Sequence, residues 1–344
     1  MARNVVNSSL QRIPMATADL QQSFFKHIKS VLPAHVSLVD QVADLLSISN
    51  DSAYRRIRGE KQISLEEVQK LSEHYKLSID QFLHLQSDSF IFSGNLASAG
   101  AYNFESWFRN VLQQMQYVNS FEEKHTYHLT KDIPFYATFH IPELGAFKSF
   151  FWRKSILHYD AMKAAKFSLD EIDATHIEMG RKVVEVYNRF PTTEIWNVES
   201  INSTIRQIEF YRETEVFSRP QDIQTLYDKV GELLNHFEKQ AERGVKLDIN
   251  GNQQADAGAY TMLVNEVALG DNTFHAVLDG QRMTFLNHSV INYIITKDER
   301  FTAYIQDMIE NLMRKSTQIS STNEKDRTRF FNRLRDKIKL SARL

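Results

Sequence analysis

The chain has no cysteine among its 344 residues and only 11 glycines. The first absence excludes disulfide bonds, thiol nucleophiles and cysteine-ligated metals. The second leaves little material for the glycine-rich loops that cradle nucleotide phosphates. The sequence also lacks a GxSxG elbow and an HExxH motif, which are signatures of serine hydrolases and zinc peptidases. We therefore expect no catalytic residues, no metal and no cofactor.

Signals that direct a chain to a membrane are missing as well. No segment approaches the run of about 18 apolar residues that would span a bilayer, and residues 1–17 lack the apolar core of a signal peptide. We expect a cytoplasmic protein of bacterial type that does not bind membranes. Its 42% hydrophobic content and 23 phenylalanines suffice for a sizeable core. Its formal net charge of −2 gives no overall basic field, so any DNA affinity must come from a local patch.

Residues 37–83 have the hydrophobic spacing of a compact helical bundle. A first helix is indicated by apolar residues three and four positions apart, namely Val39, Val42, Ala43 and Leu46. After a short turn, the Ser49 hydroxyl is placed to cap a second helix that begins at Asn50. Gly59 is placed to adopt the left-handed conformation that ends this helix.

Two further helices are predicted after Gly59. Ser64, with Glu67 three residues later, forms a capping box for the third helix. Its predicted apolar stripe consists of Leu65, Val68, Leu71 and Tyr75. Residues 78–83 predict a fourth, short helix that closes the bundle.

In this pattern the segment resembles the Cro/C1-type helix-turn-helix family of bacterial and phage regulators. The matching residues are Ala43, Ile48, Ser49, Ala53, Ile57 and Gly59, followed by the helices SLEEVQKL and LSIDQFL. The chain departs from the family at Ser47, where a glycine is frequent, and at Val39, where a phosphate-contacting glutamine is frequent. The resemblance implies that the second helix enters the major groove of DNA.

The resemblance also implies which side chains read bases, namely Asn50, Asp51 and Arg55. Arginine contacts guanine O6 and N7, asparagine contacts adenine N6 and N7, and aspartate accepts from cytosine N4. Each good pair gives about 1–3 kcal/mol of discrimination. An ion pair between Asp51 and Arg55, four residues apart, would hold the guanidinium in a reading pose. Alternatively, Asp51 is only a first-turn acid that the helix dipole favours.

The other polar side chains near this helix are candidates for phosphate and sugar contacts, which position a protein without reading sequence. They are Ser49, Ser52, Tyr54, Arg56, Arg58 and Lys61. The alternative is an ordinary solvated basic face. Because one module on a chain without a basic field binds weakly, we expect a homodimer on double-stranded DNA. A symmetric dimer would read half-sites about 34 Å apart or a multiple of that distance.

The sequence divides into four parts. These are an N-terminal extension over residues 1–17, a helix-turn-helix domain over 18–86, a linker over 87–102 and a large domain over 103–344. The linker is rich in serine and glycine, and its Phe90-Ile91-Phe92 triplet is a candidate strand. We expect the large domain to serve dimerisation and effector sensing.

Three- and four-residue apolar spacing predicts that the large domain is rich in helices. The predicted helices span 104–117, 143–157, 169–187, 198–211, 221–243, 299–314 and 324–339. Residues 260–268, 273–278 and 282–286 are rich in β-formers and predict a three-stranded antiparallel meander. The expected fold is therefore mainly α, with a Cro/C1-like bundle followed by an α-rich α+β domain that carries a small antiparallel sheet.

Three groups of residues in the large domain are candidates for chemistry. His125 and His128 have metal-compatible side chains, but on a strand they would point to opposite faces, which favours satisfied histidines. Asn287-His288-Ser289 offers a Ser/His pair, or else a polar cap that opens the helix-like VINYII segment. The rings of Trp107, Phe147, Phe150, Phe151, Trp152, Tyr187 and Trp196 would fit a ligand cavity, although core packing explains most of them.

A loop over residues 315–325 lies between the last two predicted helices and gathers hydroxyl and amide groups. The candidate effector-binding residues there are Ser316, Thr317, Ser320, Ser321, Thr322 and Asn323. The free amides at the start of the following helix would favour an anion or a small polar effector. The alternative is an ordinary loop in which Thr322 caps the last helix. That helix carries a basic face suited to packing or to auxiliary DNA contact.

These features predict a one-component transcriptional regulator that binds DNA in sequence-specific fashion. A protein-interaction regulator of a phage or defence system, whose large domain recruits another protein, is the alternative. A third interpretation is an enzyme with a DNA-targeting module.

Overall fold

The computed structural model describes residues 17–32, 36–75, 77, 79, 90–98, 100, 102–267 and 270–342. The described residues up to 79 form one compact unit, here called the small unit, and those from 90 onward form the large unit. The N-terminal extension expected over 1–17 and the helix expected over 78–83 lie outside the described residues, except for positions 17 and 79.

Four helices form the small unit. They are α1 (Thr17–Val31), α2 (Leu38–Leu46), α3 (Asn50–Ile57) and α4 (Leu65–Tyr75). Helix α1 was not predicted, yet Phe24, Phe25 and Ile28 on it are buried in the common core. The other helices contribute Val42, Ala43, Leu46, Ala53 and Leu71 to that core.

The predicted caps at the starts of α3 and α4, and the predicted end of α3 at Gly59, are confirmed. The Ser49 Oγ accepts the Ser52 N–H at 3.2 Å, and Gly59 has a φ of 78°. In the capping box, Ser64 Oγ accepts the Glu67 N–H at 3.2 Å, and Glu67 Oε2 accepts the Ser64 N–H at 3.1 Å. The turn after α2 uses Ser47 at a φ of 54°, a left-handed conformation that glycine adopts at lower cost.

The predicted apolar stripe of α4 is wrong at its first residue. Leu65 is 83% exposed, whereas Leu71 is fully buried. At 100° per residue, Leu65 lies about 120° around the helix from Leu71. It therefore occupies the first helical position outside the buried face.

An eight-stranded mixed sheet forms the centre of the large unit. Its strands are β1 (Ser93–Gly94), β2 (Lys124–Thr130), β3 (Thr192–Trp196), β4 (Tyr260–Val264), β5 (Thr273–Leu278), β6 (Gln281–Asn287), β7 (Tyr293–Thr296) and β8 (Thr317–Gln318). Their order across the sheet is β1-β7-β6-β5-β2-β3-β4-β8. Strands β2, β3 and β4 are mutually parallel, and the other neighbours are antiparallel.

The fold is mainly α with an α+β large unit, as expected, but the predicted small antiparallel meander is wrong. Strands β2 and β3 separate β4 from β5, so β4 pairs in parallel with β3 rather than with the strand that follows it. The antiparallel run extends from β1 through β7, β6 and β5 to β2, and within it the consecutive strands β5, β6 and β7 pair in sequence order. The VINYII segment, interpreted as helix-like, instead ends in the first three residues of β7. The strand suspected at Phe90-Ile91-Phe92 begins just after that triplet, at β1.

Helices cover both faces of the sheet. They are α5 (Phe104–Asn119), α6 (Pro142–Phe151), α7 (Ala174–Tyr187), α8 (Asn202–Glu213), α9 (Pro220–Arg243), α10 (Glu299–Arg314) and α11 (Glu324–Ala342). A π-helical turn (Trp152–Ile156) continues α6, and 3₁₀ turns span Phe135–His140 and Asp160–Met162. Helix α7 begins later than predicted because Asp173 caps it, accepting the N–H groups of Thr175 and His176.

Strand alternation decides which side chains meet which helices. On one face, Leu129, Ile195 and Leu263 pack against Ile305 and Ile309 of α10. The opposite face joins the larger core, to which α5 to α9 and α11 contribute. Within the described part of the chain, no helix is both long and apolar enough to cross a membrane.

Candidate nucleic-acid interface

One face of α3 is exposed to solvent. Asp51, Tyr54, Arg55 and Arg58 are exposed and recur at i, i+3, i+4 and i+7, which places them in a single stripe. The opposite face is anchored in the small unit through Ala53, which has no exposed surface. The helix therefore holds its outer side chains in a fixed direction.

The three predicted base-reading residues differ in whether their side chains are held by a hydrogen bond within the fold. Asn50 is exposed, but its Nδ2 donates to Asp40 Oδ1 at 2.9 Å, which ties the amide to α2. Asp51 and Arg55 are both exposed. Within the described residues they form no ion pair with each other, so the pair suggested by their spacing is not made. The Arg55 guanidinium thus keeps its donors for an external acceptor.

Arg56 was predicted to contact the DNA backbone from the surface, and this prediction is wrong because the residue is buried. It is 6% exposed and forms a two-pronged pair with Glu67, at 3.0 Å from Nε to Oε2 and 2.7 Å from Nη2 to Oε1. Its Nη1 donates to the Ser52 Oγ at 2.7 Å and to the Ser52 carbonyl at 3.2 Å. Hydrogen bonding from Arg56 holds the pKa of Glu67 below its usual value. This guanidinium is bound inside the bundle and is not available to a phosphate.

The remaining predicted backbone contacts lie at the two ends of α3. Ser49 and Ser52 at its start use their hydroxyls as acceptors for the cap and for Arg56. At its end, Tyr54 is 48% exposed and the Arg58 guanidinium carbon lies 5.5 Å from the centre of its ring. Arg58 also forms an exposed ion pair with Glu60 at 3.3 Å, and Lys61 is exposed.

Sequence reasoning missed the role of α1 in fixing the segment after α3. Gln21 Nε2 donates to the carbonyls of Arg56 and Lys61, both at 2.7 Å, and Gln21 Oε1 accepts the Ile63 N–H at 3.1 Å. Gln22 Nε2 donates to the Arg58 carbonyl at 2.7 Å. These two adjacent glutamines hold the backbone that carries the basic side chains at the end of α3.

Helix α1 also extends the basic surface. A groove of about 410 Å³ separates α1 from the end of α3, and its lining includes Lys26, Lys29 and Arg58. Both lysines are exposed. Three cations and one carboxylate, Glu60, thus lie along one groove beside the exposed stripe of α3. The excess of positive charge is suited to a phosphate backbone.

The candidate effector loop is occupied by hydrogen bonds of the fold. Ser316 Oγ donates to the Leu312 carbonyl at 2.6 Å, and the buried Ser320 Oγ accepts the Met262 N–H at 3.0 Å. Thr317 belongs to β8, and the N–H of Ser321 donates to the Ala241 carbonyl. Asn323 Nδ2 donates to the Gln318 carbonyl, and Thr322 Oγ1 donates to the Ser320 carbonyl. These bonds favour the interpretation of an ordinary loop that closes α11 against the sheet.

The candidate catalytic and metal-binding groups of the large unit do not converge. His125 Nε2 lies 2.9 Å from Thr193 Oγ1, while His128 Nδ1 lies 3.0 Å from the hydroxyl of Tyr136 on the other face of the sheet. The opposite orientation predicted for these histidines is confirmed. Ser289 Oγ accepts the Asn292 N–H in the turn before β7. Among the described residues, no three His, Asp or Glu side chains are grouped as metal ligands.

The exposed stripe of α3 and the neighbouring basic groove are therefore the features of the small unit that are suited to an external partner. No protein-family model matches the chain, and neither a curated protein nor a solved structure matches it.

Proposed function

We propose that the chain is a cytoplasmic transcriptional regulator that reads double-stranded DNA in the major groove with α3. The observation that carries the proposal is the stripe of Asp51, Tyr54, Arg55 and Arg58, exposed on a helix whose other face is fixed by Ala53 and by the Arg56–Glu67 pair. A short helix presented in this way, after a tight turn and a preceding helix, is the arrangement that helix-turn-helix proteins of Cro/C1 type place in the groove.

Arg55 is the principal base-reading residue in this proposal. It is exposed near the middle of α3 and makes no ion pair within the described part of the chain. Its fork of donors matches O6 and N7 of guanine. Asp51, one turn earlier, is placed to accept from a cytosine N4. Asn50 contributes to reading only if its amide leaves Asp40 or shares its donors with the base.

Phosphate binding is assigned to Arg58 and Lys61, with Lys26 and Lys29 of α1 extending the contact. The glutamine bonds from α1 to the carbonyls of Arg58 and Lys61 reduce the freedom of the segment before DNA arrives. Because these contacts are ionic and exposed, affinity should fall steeply as salt rises.

A homodimer follows from the small reading surface. A single eight-residue helix contacts few base pairs, each worth about 1–3 kcal/mol, whereas specific regulators exceed their non-specific binding by about 4–10 kcal/mol. Two copies of α3 on half-sites about 34 Å apart, or a multiple of it, would supply the difference.

Selection of bound fragments from random duplex DNA by the full-length chain tests the proposal. We expect an enriched palindrome with the wild type. Arg55→Ala should lose the sequence preference, whereas Lys61→Ala should weaken binding to all sequences alike and reduce the salt slope by about one. Lys70→Ala, at an exposed position on α4, is the matched control and should select the same sequence.

Two outcomes would contradict the proposal. Absence of any enriched sequence, with the chain shown to be folded by circular dichroism, would exclude sequence reading. An unchanged motif with Arg55→Ala would exclude α3 as the reading helix.

A further inference from the structure

The large unit contains a cavity of about 120 Å³ between the sheet and α5. Its floor is a row of His128, Phe274 and Phe285, which are register partners on the adjacent strands β2, β5 and β6. The ring centres are 5.9 Å apart for the first pair and 5.5 Å for the second. The floor is therefore a nearly continuous strip of rings.

Three more rings, which pack on one another, line the same cavity and are here called its wall. The ring centre of Trp107 on α5 lies 5.2 Å from that of Phe135 and 5.9 Å from that of Trp152. The ring centres of Phe135 and Trp152 are also 5.9 Å apart. Asn287 and Val290 line the cavity as well and are exposed, so the cavity opens near the turn between β6 and β7. Such aromatic linings favour a flat apolar molecule, which can stack on or pack edge-on against the rings.

Lys148 is the exception in this apolar surrounding. It lies on α6, lines the cavity and is 5% exposed. Its Nζ donates to Gln207 Oε1 at 2.7 Å, and within the described residues it forms no ion pair. An ammonium group has three donors, so two remain for an acceptor from outside the fold. Burial lowers the pKa of Lys148 to about 8, while the nearby Asp132 raises it, so the amine is mainly charged at neutral pH.

A buried cation without a carboxylate partner is costly unless something neutralises it. The large unit buries a second lysine, Lys246, whose Nζ lies 3.0 Å from the centre of the Tyr187 ring. The Tyr187 hydroxyl in turn donates to Glu194 at 2.5 Å. That cation is accommodated by the ring inside the fold and does not line the cavity. Lys148 faces the cavity with the neutral Gln207 as its hydrogen-bond partner. The carboxylate of Asp132, which also lines the cavity, acts on its charge without forming an ion pair among the described residues.

We propose that this cavity binds a small carboxylate whose apolar body is a single aromatic ring. The carboxylate would accept hydrogen bonds from the Lys148 ammonium and from the amide N–H groups of Gln207. The ring would pack against the floor and the wall described above. The size limits the apolar body to one ring, because an apolar protein cavity of about 150 Å³ holds one benzene molecule and this cavity, of about 120 Å³, is open at one end. This inference concerns binding by the large unit and does not depend on DNA reading by the small unit.

Benzoate is the probe, and tryptophan fluorescence of the full-length chain is the readout, because Trp107 and Trp152 both line the cavity. We expect saturable quenching with a Kd of about 1 mM or tighter, which is a modest affinity for a ligand of this size. Calorimetric titration should give the same Kd. Benzyl alcohol, which has the same ring and no charge, should bind the wild type more weakly than benzoate.

Lys148→Met tests the role of the cation, because methionine keeps most of the buried volume. We expect benzoate affinity to fall by about tenfold to a hundredfold, the usual worth of hydrogen bonds to a charged group. Benzyl alcohol affinity should change by less than about threefold, since its ring contacts remain. Gln207→Leu should weaken benzoate by a smaller factor. Lys182→Met, at an exposed position on α7, is the control and should leave both affinities unchanged.

The proposal fails if benzoate gives no saturable signal up to about 10 mM with folded protein, which corresponds to negligible affinity. It also fails if Lys148→Met binds benzoate as tightly as the wild type. Thermal unfolding of the variant separates these outcomes from misfolding. Replacing an unpaired buried charge by an apolar side chain should maintain or raise the melting temperature.

Discussion

Replacing Arg56 by alanine should destabilise the small unit by about 2–4 kcal/mol, although the same change at its neighbour Arg55 should cost less than about 0.5 kcal/mol. The Arg56 side chain is 8% exposed and its partner Glu67 is 20% exposed. Removing one partner of a buried pair costs about 3–5 kcal/mol, because the other charge is left without compensation. The partial exposure of Glu67 restores some hydration, which lowers the expected loss.

Hydrogen exchange of the full-length chain, followed by mass spectrometry, measures the loss of stability in the small unit separately from the large unit. At about 1.4 kcal/mol per factor of ten, amides of α3 and α4 should exchange about 30 to 1,000 times faster in Arg56→Ala. All three tryptophans, Trp107, Trp152 and Trp196, belong to the large unit. Tryptophan fluorescence should therefore report the same unfolding midpoint in variant and wild type.

The pH dependence gives a second signature of the same pair. Hydrogen bonding from Arg56 lowers the pKa of Glu67, so this pair stabilises the fold above the unfolded pKa of about 4.3. That contribution is lost as the pH falls through the lower, folded-state value. The difference between wild type and Arg56→Ala should consequently shrink in acid. Equal exchange in the Arg55→Ala and Arg56→Ala variants at neutral pH would refute the reasoning.

Two further predictions concern the large unit. A Cβ at Gly180 would overlap the ring of Phe139, so Gly180→Ala should lower the unfolding free energy by about 1–3 kcal/mol, whereas Gly231→Ala, with open space around it, should raise it by about 0.5–1 kcal/mol. Both changes are measurable by urea unfolding with tryptophan fluorescence. An equal change in unfolding free energy for the two variants would contradict the close packing of Gly180 against Phe139. Burial lowers to about 4 the pKa of three histidines, namely His128, His236 and His275. Because these pKa values lie below the unfolded value of about 6.5, the large unit should be most stable above pH 6.5 and lose stability as the pH falls toward 4. A urea midpoint that stays constant between pH 7 and 5 would contradict this assignment.

The helix caps of the small unit were predictable because each depends on residues that are close together in the sequence. The Ser49 cap and the Ser64–Glu67 capping box each join residues three positions apart, so residue type and spacing suffice. The clamp from Gln21 to the carbonyl of Lys61 spans 40 positions. No local pattern specifies that contact, and α1 was missed with it.

The sheet of the large unit was underestimated for a different reason. All five residues of β3 are buried, so this strand lacks the polar alternation that identifies a half-exposed strand. The pairing of β4 with β3 instead of β5 depends on helical crossovers that sequence periodicity does not encode. The helices themselves were found because their three- and four-residue spacing persists over several turns.

Arg56 was wrongly assigned to the surface because its residue type was weighed above its position around the helix. It lies three positions after the buried Ala53, which places it on the inner face of α3, whereas Arg55 lies on the outer face. Lys148 is likewise four positions after the buried Leu144 on α6. Residue type alone indicates a solvated cation at both positions, because arginine and lysine are rarely buried.

Arg56 and Lys148 are both buried, and they differ in what neutralises their charge. That difference separates a structural role from a binding role. Arg56 meets a carboxylate supplied by the chain itself, Glu67, and the pair is complete before any partner arrives. Lys148 donates to the neutral oxygen of Gln207 and faces an aromatic cavity that opens to solvent, and the carboxylate of Asp132 in the cavity lining acts on it only from beyond ion-pair distance. A fold that keeps an ammonium without a direct ion pair in such a place loses stability by doing so. An anion from outside the chain would recover that loss on binding, and this is the physical reason to look for a ligand there.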